Sequence, residues 1–269
     1  MDLFSGEELY KGLKTKALGR HAVIFNTVDS TNSEVRRMLK IGNADSIVII
    51  ADGQTGGRGR RGRNWVSEKG RGLWMTFLVT PCLPLEEMQR MTLVAGIAVC
   101  RAVENETGGV VKPVIKWPND LLVQGRKLCG ILSESAEDSM GARHALIGIG
   151  LNTRTPAAGW GEAEGIAISL EQAAGRIIPR MKLAASILNN MEELLDIEGV
   201  GGFSAILEEY RQHMLPAGSA IVVIDEEKRR HGRIEGLDDG GGLLVRLDTG
   251  EIERIVSGEI TIRGADGYV

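Results

Sequence analysis

The sequence predicts an α+β fold in two parts, a mixed β-sheet with helices mainly on one face and then a small β-barrel. Three observations predict it. Between residues 21 and 213, strand-like and helix-like segments are interspersed without strict alternation, which argues against repeated βαβ units. After Leu215-Pro216-Ala217-Gly218 the pattern changes to short strands broken by turns. The length of 269 residues and the 43% hydrophobic content suit one large core and one small one. The chain therefore divides near residue 216, into 1–215 and 216–269.

Taken in order, residues 21–28 read as a short strand. Ser30-Thr31-Asn32-Ser33-Glu34 opens a helix, with Thr31 and Glu34 at capping-box spacing and Val35, Met38 and Leu39 as its apolar face. Residues 46–51 are a buried strand and 73–79 a second. Residues 85–107 form a long helix. Leu93, Ala95, Ile97, Ala98 and Val99 make it apolar nearly all round, hence central. Strands recur at 114–117, 121–123, 127–133 and 145–151, with Gln124-Gly125-Arg126 as a hairpin turn. Helices over 180–197 and 203–213 close the first part. In the second, strands are expected at 220–224, 230–237, 243–247, 252–256 and 259–262. Asp238-Asp239-Gly240-Gly241-Gly242 and Asp248-Thr249-Gly250 are strong hairpin signals among them. Such a run of short strands suggests a barrel close to SH3 in size.

Composition excludes several classes. A net charge of −4 argues against a protein built to coat nucleic acid. Cys82, Cys100 and Cys129 are odd in number and lack paired spacing, which points to reduced thiols with no disulfide or catalytic role. His21, His144, His213 and His231 are scattered, so no metal site is expected. Met1-Asp2-Leu3-Phe4-Ser5-Gly6-Glu7-Glu8 lacks a basic stretch followed by an apolar one, and no apolar run approaches membrane-spanning length. The expectation is a soluble cytoplasmic protein with no membrane partner.

One loop stands apart. Gly56-Gly57-Arg58-Gly59-Arg60-Arg61-Gly62-Arg63 packs four arginines and four glycines into eight positions. Glycines let backbone N–H groups approach an anion, and guanidinium forks match phosphate or carboxylate. Gly57-x-Gly59-x-x-Gly62 matches the dinucleotide fingerprint literally. That fingerprint should open a helix, whereas Arg63-Asn64-Trp65-Val66-Ser67-Glu68-Lys69-Gly70 reads as loop and turn. No Gly-Lys-Ser or Gly-Lys-Thr follows, so a P-loop is excluded too. Alone, the loop is an anion site or a solvated basic segment.

Further segments narrow the choice. Lys116-Trp117-Pro118-Asn119-Asp120 ends one strand, Arg126-Lys127-Leu128-Cys129-Gly130 begins another, and Ile147-Gly148-Ile149-Gly150-Leu151-Asn152 ends a third. With Asp29-Ser30-Thr31-Asn32, Gln54 and the Arg/Gly loop, the chain resembles the biotin–protein ligases from about residue 13 to 263. The resemblance implies the class II aminoacyl-tRNA synthetase/biotin ligase-like architecture with a C-terminal SH3-like β-barrel. It implies two steps: biotin's carboxylate attacks the α-phosphate of ATP to give biotinyl-5′-AMP, and an acceptor lysine then takes the biotinyl group. The implied acceptor is the biotin carboxyl carrier protein of acetyl-CoA carboxylase. ATP chemistry implies Mg²⁺, held mostly by phosphate and water, since no carboxylate cage is evident. A homodimer is also common in such proteins.

The resemblance carries over to positions here. Ser30, Thr31 and Asn32 would donate to biotin's ureido ring, with simple helix capping as their plainer reading, and Gln54 would lie beside the same ligand. Arg58, Gly59 and Arg60 would hold the carboxylate and α-phosphate, and Gly130 would lie beside biotin. Lys127 would neutralise charge building in both steps. Lys116, Asn119 and Asn152 would contact the nucleotide, and Arg63 would brace the loop or the phosphates. Asp120 would orient or deprotonate the acceptor lysine, or else serve as a turn residue. Trp65 and Trp117 are candidates for the adenylate pocket or for core packing.

Two departures bear on this. Ala167-Ile168-Ser169-Leu170 stands where Thr-Ser-Leu is common, and about 20 residues precede the first strand, where some relatives carry a winged helix. The expectation is a ligase without repressor function or DNA partner. The rivals are a lipoate or octanoate ligase, a biotin-sensing regulator and an RNA-binding module.

Overall fold

The computed structural model describes residues 2–42, 46–79, 88–225, 228–256 and 260–264. Among them the helices are α1 (Gly6–Gly12), α2 (Thr31–Lys40), α3 (Met88–Thr107), α4 (Leu170–Ala174), α5 (Arg180–Gly199) and α6 (Phe203–His213). The larger sheet contains β1 (His21–Phe25), β2 (Ile47–Ala51), β3 (Gly72–Val79), β4 (Val114–Lys116), β5 (Asp120–Val123), β6 (Arg126–Glu137) and β7 (Arg143–Asn152). Its spatial order is β1-β2-β3-β7-β6-β5-β4, with β1 and β2 parallel and every other pair antiparallel.

Every residue of β2 and β3 is buried, as expected of strands covered on both faces. On one face, Leu73, Met75 and Phe77 of β3 share a core with α3, α5 and α6. Leu93, Ala95, Ile97, Ala98 and Val99 of α3 are fully buried, so its all-round apolarity does mark a central helix. On the other face α2 packs alone, with Val35 and Leu39 against Ile49, Leu78 and Leu146. The bias of helices to one face follows from the sequence; α2 is the exception. It carries the site.

The smaller sheet contains β8 (Ala220–Asp225), β9 (Lys228–Leu237), β10 (Leu243–Leu247), β11 (Ile252–Ile255) and β12 (Ile260–Gly264), in the order β11-β10-β9-β8-β12. All its pairs are antiparallel, consistent with an SH3-like unit. Ile221, Val223, Ile234, Leu243, Val245 and Ile255 fill its buried side. Two hydrogen bonds tie the segment after α6 and the β9–β10 turn to the larger sheet. Leu215 N donates to Ile115 O at 3.0 Å, and Trp117 Nε1 donates to Gly241 O at 3.0 Å.

Some local expectations fail for physical reasons. The capping box at Thr31 and Glu34 does not form. Ser30 is the N-cap and makes no side-chain cap bond, Thr31 already lies inside the helix, and Glu34 pairs with Arg37. The Thr31 hydroxyl is taken by tertiary partners instead. A capping box does form at Ser169 and Gln172, where it starts the short α4. Helix α1, capped by Ser5, and α4 lie outside the predicted elements. The first strand stops at Phe25, leaving only an isolated bridge from Val28 to Gln54. Positions 85–87 of the long helix and 259 of the last strand fall outside the described residues, as does Cys82; Cys100 and Cys129 are free and buried. No helix among the described residues is long and apolar enough to cross a membrane.

Candidate active site

A cavity of about 400 Å³ opens where the N-terminus of α2, the loop after β2, the β4–β5 turn and the ends of β6 and β7 converge. Every residue singled out above as a ligand or catalytic candidate lines it, from Ser30, Thr31 and Asn32 to Asn152. Its floor is glycine. A Cβ on Gly130 would come within 2.9 Å of the Trp65 ring, and one on Gly150 within 2.8 Å of its Nε1. These paired glycines of β6 and β7 let the indole lie across the sheet.

At one end, polar side chains are buried and bonded to one another. Ser30, Thr31 and Asn32 are each about 5% exposed or less, and Thr76 is fully buried. Gln54 Oε1 accepts from Thr31 N at 2.8 Å and lies 3.2 Å from its hydroxyl, while Gln54 Nε2 donates to Ser67 Oγ at 2.8 Å. Thr76 Oγ1 lies 2.7 Å from Thr31 Oγ1 and 2.6 Å from Asn32 Oδ1. Asn32 Nδ2 donates to Glu134 Oε2 at 2.7 Å. A side chain on Gly148 would collide with Asn32 Oδ1.

In the middle, Lys127 Nζ sits 2.7 Å from Asp120 Oδ1 and 4.9 Å above the Trp65 ring centroid. Asn119 Nδ2 donates to Asp120 Oδ1 and to Ile131 O, both at 3.1 Å, which fixes the β4–β5 turn against β6. Asn152 Nδ2 donates to Lys127 O at 3.3 Å, so the end of β7 holds the backbone of that lysine. Lys116 is buried nearby. Trp117 lines the cavity, yet its N–H is committed to Gly241, so its indole serves the core between the two sheets.

The cationic loop forms the other end. It folds back through Gly59 N to Arg63 O at 2.8 Å and Trp65 N to Gly57 O at 2.9 Å, with one 3₁₀ turn over Arg60–Gly62 and no helix behind it. Arg58 and Arg63 are exposed, and Arg58 Nη2 reaches Ser33 Oγ at 2.7 Å. Arg60 turns inward, donating to Asn119 Oδ1 at 3.0 Å. Burial pulls its pKa below the usual guanidinium value, Asp120 opposes this, and Arg61 and Arg63 add to it. An anion beside Arg60 would relieve that cost.

Comparison with known proteins decides the family. Residues 24–152 match the biotin/lipoate A/B protein ligase family, and residues 218–263 match the biotin protein ligase C-terminal domain. The bifunctional ligase/repressor BirA of Bacillus subtilis is 33% identical over 96% of this chain and 79% of its own length. The chain belongs to the biotin/lipoate A/B protein ligase family. Within it, the biotin–[acetyl-CoA-carboxylase] ligase of Paracoccus denitrificans is 31% identical, over 82% of this chain and 92% of that one. The biotin protein ligase of Aquifex aeolicus, solved with biotin and ATP, superposes with a TM-score of 0.78 at 29% identity, covering 91% of this chain and all of the other. Three residues that motif reading passed over support the cavity lining through hydrogen bonds: Thr76 and Glu134 to Asn32, and Ser67 to Gln54. Thr76 is the one polar side chain within the buried run of β3, and that isolation is itself a signal.

Proposed function

We propose that this biotin–protein ligase makes biotinyl-5′-AMP and transfers the biotinyl group to a lysine of the biotin carboxyl carrier protein of acetyl-CoA carboxylase. The observation that carries this reading is one cavity with two unlike ends: a buried, uncharged hydrogen-bonding end and a cationic end, with Lys127 between them. The first suits a ureido ring, which needs polar partners; the dithiolane of lipoate does not. The second suits a carboxylate meeting a phosphate.

In the first step a carboxylate oxygen forms a bond to the α-phosphorus, and the bond to pyrophosphate breaks. Lys127, Arg58 and Arg60 would offset the charge on the two anions, which otherwise repel each other. In the second step the acceptor amine attacks the acyl carbon and AMP departs. Asp120 is suited to receive the amine proton, being held by Asn119 and Lys127 at the cavity wall. Arg63, Lys116, Asn119 and Asn152 would face the nucleotide, and Gly130 leaves room for the ligand chain. Mg²⁺ would arrive with the phosphates, because among the described residues no three His, Cys, Asp or Glu side chains gather.

The acceptor assignment follows the activity of the Paracoccus relative, a biotin–[acetyl-CoA-carboxylase] ligase. Residues 1–215 are proposed as the catalytic unit and 216–269 as the barrel, in line with their separate sheets. Ligase activity without a DNA-binding role rests on the charge of −4, which opposes duplex binding. Pyrophosphate release with biotin, and none with lipoate, tests the substrate. A biotin-dependent gel shift of a palindromic operator at nanomolar protein would overturn the monofunctional reading.

A further inference from the structure

We infer that Glu134 is a positioning residue that sets substrate specificity, by fixing which way the Asn32 amide faces. This deepens the ligase reading and rests on it. A primary amide can turn by 180° and exchange an acceptor for a donor with almost no change in shape. At the uncharged end of the cavity such a turn would invert the pattern offered to a ligand. Something must hold the amide, and on this chain it is a carboxylate on β6.

The bonding follows from counting hydrogens. Glu134 Oε2 lies 2.7 Å from Asn32 Nδ2, and Arg36 Nη2 lies 3.4 Å from the other carboxylate oxygen. A carboxylate beside a guanidinium accepts only, so the amide nitrogen must point toward it; the reversed amide would set two acceptor oxygens against each other. Asn32 Oδ1 is thereby turned to Thr76 Oγ1 at 2.6 Å. Thr76 has one hydroxyl hydrogen and two oxygens in reach, and only the amide oxygen brings no hydrogen of its own. Thr76 therefore donates to Asn32. Either hydroxyl can donate across the 2.7 Å contact between Thr31 and Thr76; with the Thr76 hydrogen committed, Thr31 supplies it there rather than to Gln54 Oε1 at 3.2 Å, which keeps the Thr31 N–H. Donation runs one way, from Thr31 through Thr76 and Asn32 to Glu134.

This direction determines what the cavity offers. Asn32 Oδ1 keeps one lone pair, and Thr31 Oγ1, having given up its hydrogen, is left with acceptor capacity. Both residues line the cavity and are 4% exposed. The polar end thus asks for N–H donors, and a ligand bringing an ether oxygen to the same place meets lone pairs. Glu134 has 27% of its side chain exposed, so it acts through Asn32 from the edge of the network.

The test compares biotin with its two cyclic carbamate analogues, in which one ureido N–H or the other is replaced by a ring oxygen, by calorimetric binding to the full chain. The parent should prefer biotin by at least roughly 100-fold over the carbamate whose oxygen faces Asn32, because a buried donor–acceptor match becomes a clash. In Glu134→Leu the amide is released, and that preference should narrow to about tenfold or less as Nδ2 turns toward the oxygen. Glu134→Gln keeps an acceptor oxygen and should hold the parent preference within about threefold. Glu134→Ala supplies the same ratio if the leucine variant does not fold. Equal loss of affinity for biotin and both carbamates would make Glu134 merely structural and overturn the inference. An unchanged preference in the leucine and alanine variants would overturn it too. A parent that binds no biotin would instead remove the ligase reading underneath.

Discussion

The two ends of the cavity are built on opposite plans. At the α2 end, Thr31, Asn32, Gln54, Thr76 and Glu134 hold one another in place before any ligand arrives. At the loop end, four arginines fall between Arg58 and Arg63 with no acidic residue from Gly53 to Ser67. The nearby carboxylate of Asp120 already faces Lys127. Like charges this close repel, and glycines are costly to order. The polar end is fixed as it stands and offers oriented acceptors, whereas the cationic end gains by acquiring an anion. Orientation of hydrogen bonds and neutralisation of charge are thus separated within one cavity.

Substitutions can break this contrast, and the largest effect is expected between the ends. Lys127→Ala should fold normally but form adenylate roughly 10²–10³ times more slowly, the usual loss for one preorganised electrostatic group. Single-turnover adenylate formation within about threefold of the parent would remove Lys127 from that role.

At the cationic end, Arg60→Gly should leak rather than stop. A charge-assisted hydrogen bond contributes about 1.5–3 kcal/mol, or roughly 10- to 150-fold in residence time of the intermediate. Label from biotin should then appear on a bystander protein lacking an acceptor domain. Equal bystander labelling by both proteins would show that Arg60 does not hold the adenylate.

Thr76→Val tests the polar end. It preserves shape and interrupts the hydroxyl chain, at a cost of about 1 kcal/mol and hence roughly fivefold in biotin affinity. The dissociation rate of preformed adenylate relative to that of biotin should stay constant; a selective change for the adenylate would mean the ends are not independent.

The smallest effect concerns pH. The Arg37 guanidinium holds the Asp29 carboxyl, next to the cap of α2, down at about 2 from an ordinary 3.8. A depressed carboxyl stabilises the fold above the ordinary value, and the contribution fades as pH falls through about 2. Both side chains are about half exposed, so little stability rides on the pair. The Asp29 carboxyl resonance should titrate near 2 in the parent and return toward 3.8 in Arg37→Ala. A midpoint unmoved by that substitution would discard the pairing as its cause.

These two ends were not equally legible in the sequence. The cationic loop announces itself, because clustered arginine and glycine in an acidic chain has few other readings. Lys127 and Asp120 stand in strand-and-turn motifs whose order is visible in one dimension. Thr76 and Glu134 are a different kind of residue. They act through tertiary hydrogen bonds to α2, reaching 44 and 102 positions along the chain. The same cause misled the capping expectation, since Thr31 has the right spacing for Glu34 but a better partner across the sheet. The α5 and α6 periodicities survive folding because one stripe of each faces the core. Helix α1 hid because seven residues carry too little periodicity to read.

The bond from Trp117 Nε1 to Gly241 O gives the molecule a keystone. A chain cut between the sheets would leave that indole donor and that carbonyl without each other, beside the turn carrying Asn119 and Asp120. Fragments divided there are separable in outline but interdependent in function. A swapped-in barrel from another protein would have to bring its own carbonyl to the same spot, or the β4–β5 turn would lose its footing.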